Sequence, residues 1–456
     1  MERKAHLSFP KAPSPLRHLL KTVDRLLLGI SGMSYFTYRK RAGAKSKNDI
    51  ELFAEDVSLL EVAKRFGTPC YVYSFTSLTR RYQTFSEAVG NAMVCYSVKA
   101  NDNLAVLKTL ASEGAGADIV SGGELKRALA AGICADKIVF SGVGKTESEL
   151  AQSLDAKIGQ FNIESEDELE LLARIALEKN VEAPIAIRIN PDIEAKTHDK
   201  ISTGRAQDKF GIDINQAEQL YAKATKMRGI SVLGLAMHIG SQLTSLLPFE
   251  MAFTVLTDLC LRLRSEGNRV SRLDLGGGVG ISYKEGDKLN LQHYGLLVKN
   301  LKNNLGVDII LEPGRWMAGP TGILLSEVVR IKRSGEITFV ILDMAMNDLL
   351  RPALYGAWHD VQPVTPNSKE EMLAEIVGPI CESSDVIASK RRISKLVSGD
   401  FVAVRDVGAY GAVMSSNYNT RIPATEVMVS GKQMCQIRKR PNYEDILNKD
   451  IVPDWL

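Results

Sequence analysis

From about residue 50 the chain alternates short apolar runs with longer stretches whose apolar positions recur every three or four residues. The runs read as strands at 93–98, 117–120, 137–141, 158–163, 184–189, 232–238, 271–275 and 308–311. Helical spacing lies between them, at Leu104–Glu113, Gly123–Ala131, Glu166–Lys179, Gln216–Met227, Phe249–Ser265 and Leu289–Leu305. Strands that are apolar throughout, not only at alternate positions, suit burial on both faces. Eight strand–helix units in succession predict an α/β fold, a parallel (β/α)8 barrel over residues 76–320. A doubly wound open sheet is the competing arrangement, and the count of eight disfavours it. After residue 320 the helical spacing stops. Runs at Leu324–Lys332, Thr338–Leu342, Ala374–Val377 and Asp400–Val404 predict a β-rich domain over 321–456. The stretch 48–75, with ELFAEDV and CYVYS, is also strand-like and is expected in that domain, which then contains both chain ends.

Composition leaves this picture intact. With 456 residues, 45% hydrophobic and 24% charged, the chain suits two globular domains and no disordered or collagen-like class. Mean hydropathy is −0.06, and the longest apolar stretch near the start, Leu26–Ile30, is too short to span a membrane or to serve as a secretory signal. Six scattered cysteines without a CxxC pair suggest neither a metal site nor a disulfide framework, so a reducing, cytoplasmic setting is expected. Charge changes the picture at one end. Residues 1–47 hold eleven Lys/Arg against Glu2 and Asp24, or +9, which leaves 3 − 9 = −6 for the rest. Leu16, Leu19, Leu20, Val23, Leu26 and Leu27 fit a short amphipathic helix there. A poorly ordered extension is the expectation, with an organelle-targeting peptide as the alternative. Aromatics do not interleave the basic residues, so no nucleic-acid partner is expected, nor a membrane one.

In such barrels chemistry gathers at the C-terminal ends of the strands. The first predicted strand ends in Tyr96-Ser97-Val98-Lys99-Ala100-Asn101, the second runs to Asp118, and the fifth to Arg188 and Asn190. The sixth ends in His238-Ile239-Gly240-Ser241-Gln242, the seventh in Gly276-Gly277-Gly278 and the eighth in Glu312-Pro313-Gly314-Arg315. Singly, each has an ordinary explanation: a solvated lysine, a core histidine, a glycine turn. Together they set a lysine, a flat ring, an anion cradle and a carboxylate around one mouth. Pyridoxal 5′-phosphate needs that set. Lys99 supplies the Schiff-base amine, the glycines and Ser241 hold phosphate, His238 stacks on the ring, and Glu312 keeps the ring nitrogen protonated.

The motifs YSVKAN, HIGSQ, LDLGGG, EPGR, MNDLLRPALYG, CESSD and DVGAYG jointly resemble the pyridoxal-phosphate decarboxylases of the alanine-racemase fold type. The set is most similar to the diaminopimelate decarboxylases, over about residues 50–440. The resemblance implies a barrel plus a β-rich domain from both chain ends, and a homodimer with shared active sites. It assigns the Schiff base to Lys99 and stacking to His238. Phosphate contacts go to Ser241, Gly277 and the backbone of Glu312, Pro313, Gly314 and Arg315, and Glu312 pairs with the ring nitrogen. Asp118 and Arg188 count with the cofactor residues, and Tyr410 is expected near phosphate and substrate. Cys381 is implied as a proton donor reaching in from the partner subunit; a small buried apolar residue is its plain alternative.

The implied reaction is loss of the α-carboxylate from meso-2,6-diaminopimelate to give L-lysine, the last step of lysine biosynthesis, with Cys381 or Lys99 returning the proton. Glu312 favours decarboxylation, because family racemases carry an arginine there. Arg315, Arg351 and Tyr355 are expected to grip the distal carboxylate and Glu382 the distal ammonium. A decarboxylase of ornithine, lysine or a similar basic amino acid is the alternative. A non-catalytic relative would be expected to lack the lysine, the cysteine or the glycines, and all three are present. Two departures from the family pattern stand out: the basic extension, and Thr197-His198-Asp199-Lys200 ahead of ISTG.

Overall fold

The computed structural model describes residues 35–40, 50–193, 204, 207–284, 286, 288–366 and 370–456. The amphipathic stretch at 16–27 and the variant segment 197–200 lie outside them.

Eight parallel strands close into a barrel: β1 (Met93–Ser97), β2 (Gly116–Ile119), β3 (Ile138–Phe140), β4 (Gln160–Ile163), β5 (Ala183–Asn190), β6 (Ile230–Met237), β7 (Arg272–Asp274) and β8 (Asp308–Leu311). Closure comes from β8 pairing with β1, Ile310 opposite Met93, and from β4 pairing with β5. The open sheet is thereby ruled out. Both faces of each strand are covered, but they differ in chemistry. Outward residues such as Tyr96, Ile119, Phe140, Phe161, Ile187, Leu273 and Leu311 pack with the helices into one large core. Inward residues form only a small apolar plug, Cys95, Val139 and Ile310. Above it the interior turns polar, with Asp118, Gln160, Asn162, Asp274 and Glu312 all buried. Period-two alternation thus separates a packing face from a chemical one.

The helices expected from spacing form at Leu104–Ser112, Gly122–Ala130, Glu166–Glu178, Ile214–Ala224, Leu247–Ser265 and Leu291–Leu305. Two more cover the barrel, Phe75–Val89 before β1 and Glu147–Asp155 after β3. The second begins with a reciprocal capping box between Thr146 and Glu149.

The second domain is built on Cys70–Ser74, which lies between Gly322–Ser334 (antiparallel) and Thr425–Ser430 (parallel). Alternate residues of this sheet feed two cores, Tyr71, Tyr73 and Leu324 on one face, Cys70, Val72 and Ile323 on the other. A three-stranded sheet of Phe36–Lys40, Ile50–Ala54 and Val57–Ser58 joins it through Leu52 N–H to the Val364 carbonyl, 2.8 Å. Phe36–Lys40 falls within the stretch read as an extension, and Phe36 is buried. Bonds that tie this domain to the barrel mouth include Tyr410 N–H to the Ala100 carbonyl (2.8 Å), Asn101 Nδ2 to the Gly408 carbonyl (3.0 Å) and Arg438 Nη2 to Asp102 Oδ1 (2.8 Å).

Candidate active site at the barrel mouth

A cavity with an empty volume of about 770 Å³ opens at the C-terminal ends of the strands. Its walls bring together Lys99, His238, Ser241, Glu312, Gly314, Arg315, Tyr355 and Tyr410. Ser97, Gly278 and Val279 complete the lining.

Lys99 sits in the turn Val98–Ala100 that ends β1. Its Nζ donates to Asp118 Oδ2 at 2.6 Å, and Ser97 Oγ donates to the same oxygen at 2.7 Å. Burial opposes the charge on both partners, yet each stabilises the other. The Asp118 carboxyl is held below the usual range, and the Lys99 ammonium is raised by Asp118 and Glu312. Burial alone therefore does not deliver a neutral amine at Lys99, because a carboxylate holds its proton.

Below the lysine, Asn162 Nδ2 donates to Asp274 Oδ2 (3.0 Å) and reaches Glu312 Oε1 (3.4 Å), which also accepts from Ser141 Oγ (3.3 Å). Burial, then Asp118 and Asp274, push the Glu312 carboxyl well above its ordinary range; burial likewise raises Asp274. Two like charges here are unfavourable, so the pair retains a proton.

His238 follows β6. Gly277 N–H donates to its Nδ1 at 3.1 Å, so that nitrogen carries no proton. Burial, Arg188 and Lys99 push the imidazole down to about 3, which keeps it neutral. Arg188 stands behind, ion-paired to buried Glu164. The glycines after β7 have a steric reason. A Cβ on Gly276 would lie 2.4 Å from the Met237 carbonyl oxygen, and one on Gly277 2.3 Å from that of Glu312. Gly276 and Gly278 also adopt φ of 65° and 105°. The Pro313 carbonyl accepts from Ser97 N–H, fixing β1 against the loop after β8.

The opposite side is cationic, with Arg315 in the cavity lining and Arg351 behind it, off the lining. Arg315 Nη1 donates to Tyr283 Oη (2.9 Å) and Nη2 to Ser241 Oγ (3.2 Å), and its guanidinium lies 4.6 Å from the Tyr410 ring centroid. Arg351 begins the helix Arg351–Tyr355 and lies 4.8 Å over the Tyr283 ring. Both arginines are buried. Among the described residues neither has a carboxylate within ion-pair distance, and the Nε of each lacks a partner.

Cys381 and Glu382 lie on an exposed loop after the strand Glu371–Val377, off the cavity lining. Sequence reasoning passed over Ser97, Ser141, Asn162, Asp274, Tyr283 and His359. Ser97 and Asp274 stood inside quoted motifs, YSVKAN and LDLGGG. Tyr283 and His359 had no periodic or spacing signal.

A flat ring bearing a phosphate fits this cavity: it has a neutral imidazole for one face, a protonated carboxyl below, a glycine turn that leaves no room for side chains, and one amine. The chain compares with known proteins accordingly. Residues 75–319 match the family described as "Pyridoxal-dependent decarboxylase, pyridoxal binding domain". The chain is 47% identical over 408 residues to a diaminopimelate decarboxylase of Pseudomonas fluorescens, covering 89% of this chain and 98% of the relative. It is 45% identical over 412 residues to that of Zymomonas mobilis, covering 89% and 98%. The crystal structure of diaminopimelate decarboxylase from M. jannaschii in complex with L-lysine superposes with a TM-score of 0.86 at 37% identity, covering 92% of this chain and 99% of that one.

Proposed function

The chain belongs to the diaminopimelate decarboxylase family, and on that premise we propose a role for each side chain around the mouth. The enzyme is a carboxy-lyase that uses pyridoxal phosphate and converts meso-diaminopimelate to L-lysine and carbon dioxide. When bound, the cofactor supplies an aldehyde that takes up an amine and a ring that draws off the electron pair of the breaking bond.

Lys99, the amine at the cavity wall, would hold the cofactor's aldehyde. Asp118 accepts from Lys99 Nζ and fixes that group at the end of β1. Glu312, supported by Asn162, Ser141 and Asp274, would keep a proton at the ring nitrogen. His238 would stack on the cofactor, its neutrality avoiding a cation against an electron-poor ring. Ser241, the Gly276–Gly278 turn and the backbone from Pro313 to Arg315 would hold the phosphate, with Tyr410 beside them. As the carboxylate leaves as carbon dioxide, a proton from Cys381 Sγ or Lys99 Nζ takes its place on the same carbon.

The observation that carries the choice of substrate is the pair of buried guanidiniums, Arg315 and Arg351, whose partners among the described residues are all neutral. A buried cation without an anion is costly, and a distal carboxylate removes that cost; ornithine and lysine bring none. Tyr355 adds a hydrogen bond and Glu382 takes the distal ammonium. We assign Cys381 and Glu382 to the neighbouring active site of a homodimer, since in one chain they sit away from its own cavity. We also assign the enzyme to the cytoplasm, in keeping with six unpaired cysteines. Measuring lysine and carbon dioxide from meso-diaminopimelate, beside release of carbon dioxide from lysine and ornithine, tests the reading; comparable rates on all three would overturn the role of the arginines.

A further inference from the structure

We propose that His359 is a positioning residue for substrate choice: its neutral imidazole, in one fixed tautomer, holds the Arg351 guanidinium over Tyr283 and next to Arg315, just behind the cavity lining. The inference rests on the reading that Arg351 binds the distal carboxylate.

His359 has no solvent exposure. Its Nδ1 lies 2.8 Å from the Arg405 carbonyl oxygen, which can only accept, so Nδ1 bears the hydrogen. Its Nε2 lies 2.8 Å from Arg351 Nη1, which can only donate, so Nε2 presents its lone pair. Chemistry alone thus settles the tautomer. A protonated ring could not accept from Arg351, and burial followed by Arg351 itself pushes the imidazole down to about 3. The main chain at His359 is held as well, because Arg391 Nη2 donates to the His359 carbonyl at 2.9 Å.

The chain brings His359 back to Arg351 by a short return. The helix Arg351–Tyr355 stops at Gly356, whose φ of 58° reverses the backbone. Tyr283 completes the arrangement. Its ring face lies under Arg351, its edge meets His359 with centroids 5.2 Å apart, and its hydroxyl takes the Arg315 bond. Arg351 is therefore oriented by an acceptor and a π-face, neither of them an anion. A carboxylate in the place of His359 would neutralise Arg351 and compete with substrate. An imidazole orients the guanidinium and leaves its charge available.

Asparagine and glutamine separate the two bonds. His359→Asn can keep a donor for the Arg405 carbonyl but offers no acceptor at the Nε2 position; His359→Gln places an acceptor there. In holoenzyme with unchanged cofactor absorbance, His359→Asn should raise KM for diaminopimelate about tenfold with kcat changed much less, the loss of one hydrogen bond to a charged group. His359→Gln should restore most of that affinity. Equal losses in kcat for both variants, or a normal KM in His359→Asn beside a raised KM in Arg351→Ala, overturns the inference while leaving the substrate reading intact. A normal KM in Arg351→Ala itself overturns the substrate reading, and the inference with it.

Discussion

The floor and the far wall of the cavity handle buried charge in opposite ways. The floor gathers three carboxyl groups, Asp118, Asp274 and Glu312, all fully or nearly buried. It manages them with one cation, Lys99, with amide and hydroxyl donors, and with a retained proton. The wall holds two guanidiniums that cannot lose their protons, and among the described residues gives them only two hydroxyls, an imidazole and aromatic faces. The floor is electrostatically closed before substrate arrives; the wall is left open to an anion. Chemistry at the floor thus works by moving protons among groups already present. On the proposed reading, recognition at the wall supplies a charge that is missing.

That contrast can be broken at either end. The largest effect belongs to the floor: Glu312→Gln should retain the cofactor, seen by its absorbance, yet lower kcat by about 10²–10⁴-fold. Wild-type turnover in this variant would mean that the retained proton is irrelevant. At the wall, Arg351→Ala should cost about 2–5 kcal/mol in kcat/KM for diaminopimelate, and narrow the gap to lysine because the unpaired cation is gone. Parallel loss on both substrates would erase the distinction between the two regions. A complementation test asks whether the wall is completed by a second chain. Mixtures of Lys99→Ala with Cys381→Ala, shown to exchange subunits, should recover part of the activity that each lacks alone. No recovery would assign Cys381 to its own chain or to no chemistry.

The smallest effect is on stability. His359 has a folded pKa of about 3 against an ordinary 6.5. The unfolded chain takes up this proton first, so the contribution is full above about 6.5 and is lost as pH falls toward 3. His359→Gln does not titrate, and its melting temperature should fall less steeply between pH 6.5 and 4, by about a few degrees. Identical slopes would show that the imidazole is not held neutral.

The barrel was legible because its apolar runs are long-lived signals: eight runs and six helical spacings stand within a few residues of the observed elements. The helix Glu147–Asp155 escaped because only Leu150 and Leu154 mark its buried face, with Ser153, and its real marker is the Thr146/Glu149 cap. The lysine and the glycine turn could be read from their place after strands. The polar interior could not, since Asn162 and Asp274 lie in short strands whose outward neighbours are apolar and dominate the pattern. Tyr283 meets Arg315 and Arg351 from a distant segment, and His359 returns to Arg351 through an irregular loop, so no regular spacing marks either. The exposed position of Cys381 was equally invisible, for motif resemblance names a residue without saying which cavity it faces.

The central strand of the second domain, Cys70–Ser74, has consequences for how the chain is made. Its two sheet neighbours, Gly322–Ser334 and Thr425–Ser430, lie beyond the whole barrel in the sequence. During synthesis this strand leaves the ribosome early, waits with both edges unpaired until the barrel is made, and keeps one edge open until nearly all the rest has been translated. An edge of that kind is an invitation to pair with other chains. The barrel has all eight of its strands by residue 311 and can assemble first, after which it carries the waiting strand close to its late partners. A ribosome that stalls before residue 425 would therefore release a chain with a nearly finished catalytic mouth and an open, adhesive sheet.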